Sequence, residues 1–144
     1  LAVLPFGNIA ETVLVTGTEL KTMLENGVSQ MPLAAPRFPQ VSGLCFSYDV
    51  NALPGSRVLA AVRQAPNGTC TGTDINFAAG AAYVLAENDF MAGGGDGYPN
   101  FAGRPTAGAR LDLIVDDYLI LHTPITPAIQ GRITCTSSGV TMCP

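Results

Sequence analysis

Residues 9–16 are rich in β-branched side chains and alternate well enough to read as a strand, and the period then changes at once. Leu20, Met23 and Leu24 recur at helical spacing. Gly17-Thr18 offers an N-cap, Glu19 complements the helix dipole and Asn26-Gly27 supplies a stop, so a helix is expected here. Residues 31–39 contain Pro32, Pro36 and Pro39, each of which removes a backbone donor, and must form a loop or extended connector. Period two returns in residues 43–50, where Leu44, Phe46, Tyr48 and Val50 alternate with Ser47 and Asp49. Residues 58–62 repeat it after the Leu53-Pro54-Gly55-Ser56 turn, which predicts an antiparallel hairpin.

Residues 82–85 read as a further, buried strand leading into Asn88-Asp89-Phe90. Gly93-Gly94-Gly95-Asp96-Gly97 follows, too glycine-dense for regular structure. Across residues 109–122, Leu111, Ile114, Val115, Tyr118 and Leu121 recur at helical spacing, with Asp112, Asp116 and Asp117 on the other faces. This predicts an amphipathic helix packed on a sheet. Residues 131–135 predict a final short strand. Helices and strands mix without a βαβ rhythm, so the expected class is α+β, a mixed β-sheet with an antiparallel hairpin packed against helices. No repeat or linker divides the chain, and residues 1–144 are expected to form a single domain. The first strand arrives within nine residues, so Leu1 reads as entering in mid-element.

Composition narrows the possible functions. Of 144 residues, 47% are hydrophobic and 12% charged, a balance that favours a packed core over a disordered chain. The net charge of −4 has the wrong sign for an extended phosphate-backbone surface, which argues against a nucleic-acid polymer as partner. Residues 77–86 form the longest nearly apolar run, far short of the about 20 residues a spanning helix needs, and no transmembrane segment is expected. The apolar start lacks a basic region and does not read as a signal peptide.

Four cysteines, Cys45, Cys70, Cys135 and Cys143, include no CxxC pair, and there is one histidine, so zinc ligation is not expected. Asn67-Gly68-Thr69 is a glycosylation sequon in a turn-like context. Together with the even cysteine count it predicts an oxidising compartment and a secreted glycoprotein. Three pairings are open. The short, Ser-, Thr- and Gly-rich loop from Cys135 to Cys143 suits a local bridge and leaves Cys45 to pair with Cys70.

The familiar catalytic motifs are mostly absent from the sequence. There is no GxSxG elbow and no Walker A loop, and a lone His122 cannot supply a two-metal centre. His122 is better read as a helix C-terminal residue favoured by the dipole. Asp116 and Asp117 project about 100° apart on a helix and suit a solvated face better than a carboxylate dyad. The glycine tract is more informative. Glycines let a backbone approach a ligand closely, and the Asp96 carboxylate can accept two hydroxyl hydrogen bonds, as a ribose diol would offer. Phe90 stands six residues earlier and Phe38 lies in the proline-rich connector, so two loop aromatics and an acid suit a stacked nucleoside. The bland alternative is a Gly-Asp turn and two core phenylalanines.

Four ordered motifs extend this reading: Leu4-Pro5-Phe6-Gly7-Asn8; Thr16-Gly17-Thr18-Glu19-Leu20-Lys21 with Leu24-Glu25-Asn26-Gly27-Val28; Arg37-Phe38-Pro39-Gln40-Val41-Ser42-Gly43; and Asn88-Asp89-Phe90-Met91-Ala92-Gly93-Gly94-Gly95-Asp96-Gly97-Tyr98. In this order they resemble the C-terminal domain of the 5′-nucleotidase and UDP-sugar hydrolase family. The resemblance implies that Phe38 and Phe90 sandwich a base, that Asp96 binds ribose, and that Gln40 reaches the base edge, with Gly95 in the same turn. It further implies a separate N-terminal metallophosphoesterase domain, from the same precursor, carrying two divalent metals and an Asp-His pair. No cofactor is expected in this chain. Family members carry an Asn-Gly-Gly-Gly-Ile-Arg-like stretch upstream of the LPFG-like segment. Its lack here implies an N-terminally incomplete domain without the phosphate-side contacts, inactive by itself. A free-standing secreted nucleoside-binding module, or a structural remnant with no ligand, are the alternatives.

Overall fold

The computed structural model describes residues 4–144; the reading of Leu1 as entering in mid-element falls outside them. The fold is α+β and divides into two compact units, each built on its own three-stranded sheet. The first comprises the residues up to Val15 together with Ala82–Ala128, and the second comprises Thr16–Ala81 with Ile129–Pro144.

In the first unit, β1 (Ile9–Thr16) is the central strand, flanked by β4 (Ala82–Asn88) and antiparallel β5 (Thr106–Arg110). Val13 and Val15 are buried while Leu14 between them is 61% exposed, the alternation of a sheet with one covered face. The strand at residues 82–85 was expected to be buried. It forms, longer than expected, but only its Tyr83, Leu85 and Glu87 face is partly covered, and Val84 is exposed. A one-turn helix, α2 (Asp89–Ala92), leads from β4 into the glycine tract, where a 3₁₀ turn at Gly95–Gly97 replaces the irregular segment expected.

The helix expected across residues 109–122 is present as α3 (Leu111–His122), but it buries no residue. Leu113, Leu119 and Ile120 fall off the predicted stripe, so apolar groups surround the helix, and β5 is the main element it touches.

The second unit holds α1 (Gly17–Val28) against a mixed sheet in which β2 (Leu44–Asp49) pairs antiparallel with β3 (Val58–Arg63) and parallel with β6 (Ile133–Thr136). The β2–β3 pair is the hairpin read from the alternation. Leu20, Met23, Leu24 and Val28 of α1 are buried, as are Phe46 and Tyr48 of β2 and Val58 and Ala61 of β3.

The cap of α1 lies earlier than Gly17-Thr18. Thr16 is the N-cap, its hydroxyl accepting from the Glu19 N–H while the Glu19 carboxylate accepts from the Thr16 N–H, a capping box. Asn26-Gly27 does not stop the helix. It runs to Val28, where the Arg57 guanidinium donates to the Val28 and Met31 carbonyls at 2.6 and 2.8 Å and satisfies the C-terminal end. Buried Glu25 in turn accepts from the Arg57 and Val58 N–H groups at 2.8 and 2.9 Å, which ties α1 to the start of β3.

Disulfides join Cys45 to Cys70 and Cys135 to Cys143. The loop closed by the second is held to β2. Buried Asp49 accepts from the Ser138 N–H and hydroxyl and from the Asn51 N–H, while the Asn51 amide bonds Ser137 and Thr141. These donors, the Ser138 hydroxyl foremost, hold the Asp49 carboxyl below its ordinary pKa.

Candidate functional site

The glycine-rich turn of the first unit is organised from Asn88, whose side chain accepts from the Met91 N–H at 2.8 Å and caps α2. This sets Phe90 on the first turn of α2, where it is 53% exposed. Gly93 and Gly94 then reverse the chain, with Gly94 at φ +92° and a β-bridge between Gly93 and Asn100. Buried Tyr98 and Phe101 anchor the far side, and the Phe101 N–H donates to the Ala92 carbonyl at 2.8 Å.

This reversal lays Gly95 against Phe90. A Cβ at position 95 would lie 2.4–2.5 Å from three atoms of the Phe90 ring, so only glycine admits the ring in this position. Asp96 follows in a left-handed backbone conformation at φ +53°, alone among non-glycine residues in the described chain, and it is exposed. Phe90, Gly95 and Asp96 are thus brought together in one turn.

Asp89 stands out in the sequence only as part of a motif. One of its carboxylate oxygens accepts from the Asn8 side-chain amide at 2.8 Å, the Ile9 N–H at 3.2 Å and the Phe90 N–H at 3.0 Å. These donors, Asn8 first, lower the Asp89 pKa against a smaller opposing effect of desolvation. Nothing in the spacing of residues 8 and 89 signals this contact.

Phe38 and Gln40 belong to the second unit. The Phe38 N–H donates to the Ala35 carbonyl at 3.0 Å, closing a turn centred on Pro36 and Arg37. The half-buried Phe38 ring meets Tyr48 edge-on, with centroids 6.4 Å apart and planes at 66°, and Tyr48 lies 6.3 Å from Phe46. The connector that could not bury an aromatic by itself therefore rests one on β2. Gln40 is exposed.

Asn67 is exposed in a tight turn, its side-chain oxygen accepting from the Thr69 N–H and hydroxyl at 3.1 and 2.7 Å. His122 ends α3, bonded through its ring to the Tyr118 carbonyl and stacked on the Tyr118 ring, while Asp116 and Asp117 are exposed on the same helix. Among the described residues no group of three His, Cys, Asp or Glu side chains is arranged to hold a metal ion, and no helix is long and apolar enough to cross a membrane.

Residues 1–103 match the family described as 5′-nucleotidase, C-terminal domain. The chain is 31% identical over 137 residues to the trifunctional nucleotide phosphoesterase protein of Bacillus subtilis, covering 92% of this chain and 9% of that protein. It is 34% identical over 139 residues to the snake venom 5′-nucleotidase of Gloydius brevicauda, covering 92% and 23%. Among solved structures, the 5′-nucleotidase precursor from Thermus thermophilus superposes with a TM-score of 0.79 at 31% identity, over 92% of this chain and 26% of that one. The chain thus spans about a quarter or less of the length of these relatives. With the match running through both the connector that bears Phe38 and the turn that bears Phe90 and Asp96, the chain belongs to the family of 5′-nucleotidase C-terminal domains.

Proposed function

We propose that the chain serves in recognition of the nucleoside part of a nucleotide, within a secreted 5′-nucleotidase-type phosphohydrolase. The base stacks on the Phe38 and Phe90 rings, Gln40 meets its edge, and the Asp96 carboxylate accepts hydrogen bonds from the two ribose hydroxyls. Gly95 lets the backbone come close. The observation that carries this reading is the exposed Phe90 ring backed by Gly95 and followed directly by exposed Asp96. A half-exposed aromatic fixed by packing is a platform already ordered for a flat ligand, and base–aromatic stacking contributes about 1–3 kcal/mol per base.

Hydrolysis is assigned to an N-terminal metallophosphoesterase domain of the same precursor, which would hold two divalent metals. The donor set described in this chain does not fit such a centre. This domain's contribution is to fix the nucleoside so that the 5′-phosphate is presented in one orientation, a gain in proximity rather than in chemistry. Secretion is supported by the two disulfides and by exposed Asn67 in its sequon, which is the proposed glycosylation site.

Titration of the chain with adenosine, followed by calorimetry, tests the reading. Binding that weakens by about tenfold in Phe38→Ala and in Phe90→Ala supports it. Affinity unchanged from wild type in both variants, or phosphate release from AMP by the pure chain with added divalent metal, overturns it.

A further inference from the structure

The Asp89 carboxylate stands outside the ligand contacts proposed above, yet it is held by three hydrogen bonds. A single oxygen takes three donors from two distant parts of the chain: the side chain of Asn8, the backbone of Ile9 at the start of β1, and the backbone of Phe90. The Asn8 carbonyl meanwhile accepts from the Leu111 N–H at 2.9 Å, so Asn8 links the start of α3 to the same carboxylate. A four-residue helix has almost no stability of its own, since nucleation is costly and α2 closes only one turn. Its position must come from tertiary contacts. The Asn88 cap orders the turn internally, and Asp89 fastens it to the sheet.

We propose that Asp89 is the positioning residue of the Phe90 platform, holding the ring on Gly95 through its bonds to Asn8, Ile9 and the Phe90 N–H. The inference rests on the nucleoside reading for its functional meaning, though not for its structural content. The ring's backbone is clamped one atom from Cα, so losing the carboxylate frees the first turn of α2 and lets the ring leave Gly95. The ionised carboxylate is the stronger acceptor, in line with a pKa held below the ordinary range by the Asn8 amide and the two backbone donors.

Two readouts on one set of variants test this. Phe90 lies against Gly95, so the Gly95 Hα resonances carry a ring-current displacement that reports the platform with no ligand present. In Asp89→Ala this displacement is expected to collapse toward random-coil positions, while the resonances of Phe46 and Tyr48 in the other unit stay unchanged. Asp89→Asn keeps an acceptor oxygen and should restore most of the displacement. Asn8→Ala removes only one of the three bonds, gives a partial loss, and serves if Asp89→Ala does not fold. Adenosine affinity should follow the same order, falling about fivefold in Asp89→Ala as the ring loses its preorganisation. A Gly95 signal that keeps its wild-type position in both Asp89→Ala and Asn8→Ala overturns the positioning role. If the Gly95 signal responds as described but the wild-type chain does not bind adenosine, the nucleoside reading fails while the positioning role stands.

Discussion

The Phe90 ring packs onto the backbone of Gly95 so closely that a Cβ at residue 95 would lie 2.4 Å from the ring. The first prediction comes from comparing this contact with Gly17, where a Cβ would lie 2.2 Å from the Asn76 carbonyl oxygen. In Gly95→Ala the obstructing group is a half-exposed side chain that can swing away. Stability should change by less than about 1 kcal/mol while adenosine affinity falls. In Gly17→Ala the obstruction is backbone, and a loss of about 3 kcal/mol is expected. Urea unfolding and calorimetry on the two variants check the contrast. Equal destabilisation of both would show that the Phe90 ring is held as rigidly as the core.

Glu25 sits in the second unit as a buried carboxylate whose two oxygens each accept one backbone N–H of β3's leading edge. Glu25→Ala leaves both donors without a partner away from water and should cost about 2–4 kcal/mol in urea unfolding. Glu25→Gln keeps one acceptor but turns an amide NH₂ toward the other donor, and should fall between. A loss below about 0.5 kcal/mol in Glu25→Ala would mean that water replaces the carboxylate.

The elements legible in the sequence are those whose pattern is local. The alternation of β1 and of the β2–β3 hairpin reports a sheet face directly, and the glycine density around Asp96 marks a turn whatever surrounds it. The α1 cap was legible in principle, since Thr16 and Glu19 stand at capping-box spacing, but Gly17-Thr18 competed for the role. Strand β5 was not legible. Thr106-Ala107-Gly108-Ala109-Arg110 has no apolar alternation, and its strand character comes from pairing with β1 nearly a hundred residues away. The Asp89–Asn8 bond spans 81 positions and has no local signature. The exposure of α3 was hidden because helical spacing reports which residues share a face, and not whether another element covers it.

Glu87 supplies a pH dependence. Neither of its carboxylate oxygens has a hydrogen-bond partner among the described residues. Burial, reinforced by the neighbouring Glu11 charge, raises its pKa from 4.5 to about 7. A carboxyl whose folded pKa is raised binds more protons in the folded state than in the unfolded one. Its contribution to stability is therefore complete below pH 4.5 and declines until it is lost as pH passes about 7. Thermal unfolding across this window should show Tm falling with rising pH in the wild type. Glu87→Gln should flatten that fall and be the more stable protein at pH 8. An unchanged slope in the variant would place the titration elsewhere.

The most direct test of the central claim is a cycle between Asp96 and the ribose hydroxyls. Calorimetry of wild type and Asp96→Ala with adenosine and with 2′,3′-dideoxyadenosine gives four affinities. If Asp96 binds the diol, removing the hydroxyls weakens the wild type by about 1.5–3 kcal/mol, the range for hydrogen bonds to a charged group, and leaves Asp96→Ala nearly unaffected. An equal loss in both proteins, or no adenosine binding by the wild type, would contradict the account.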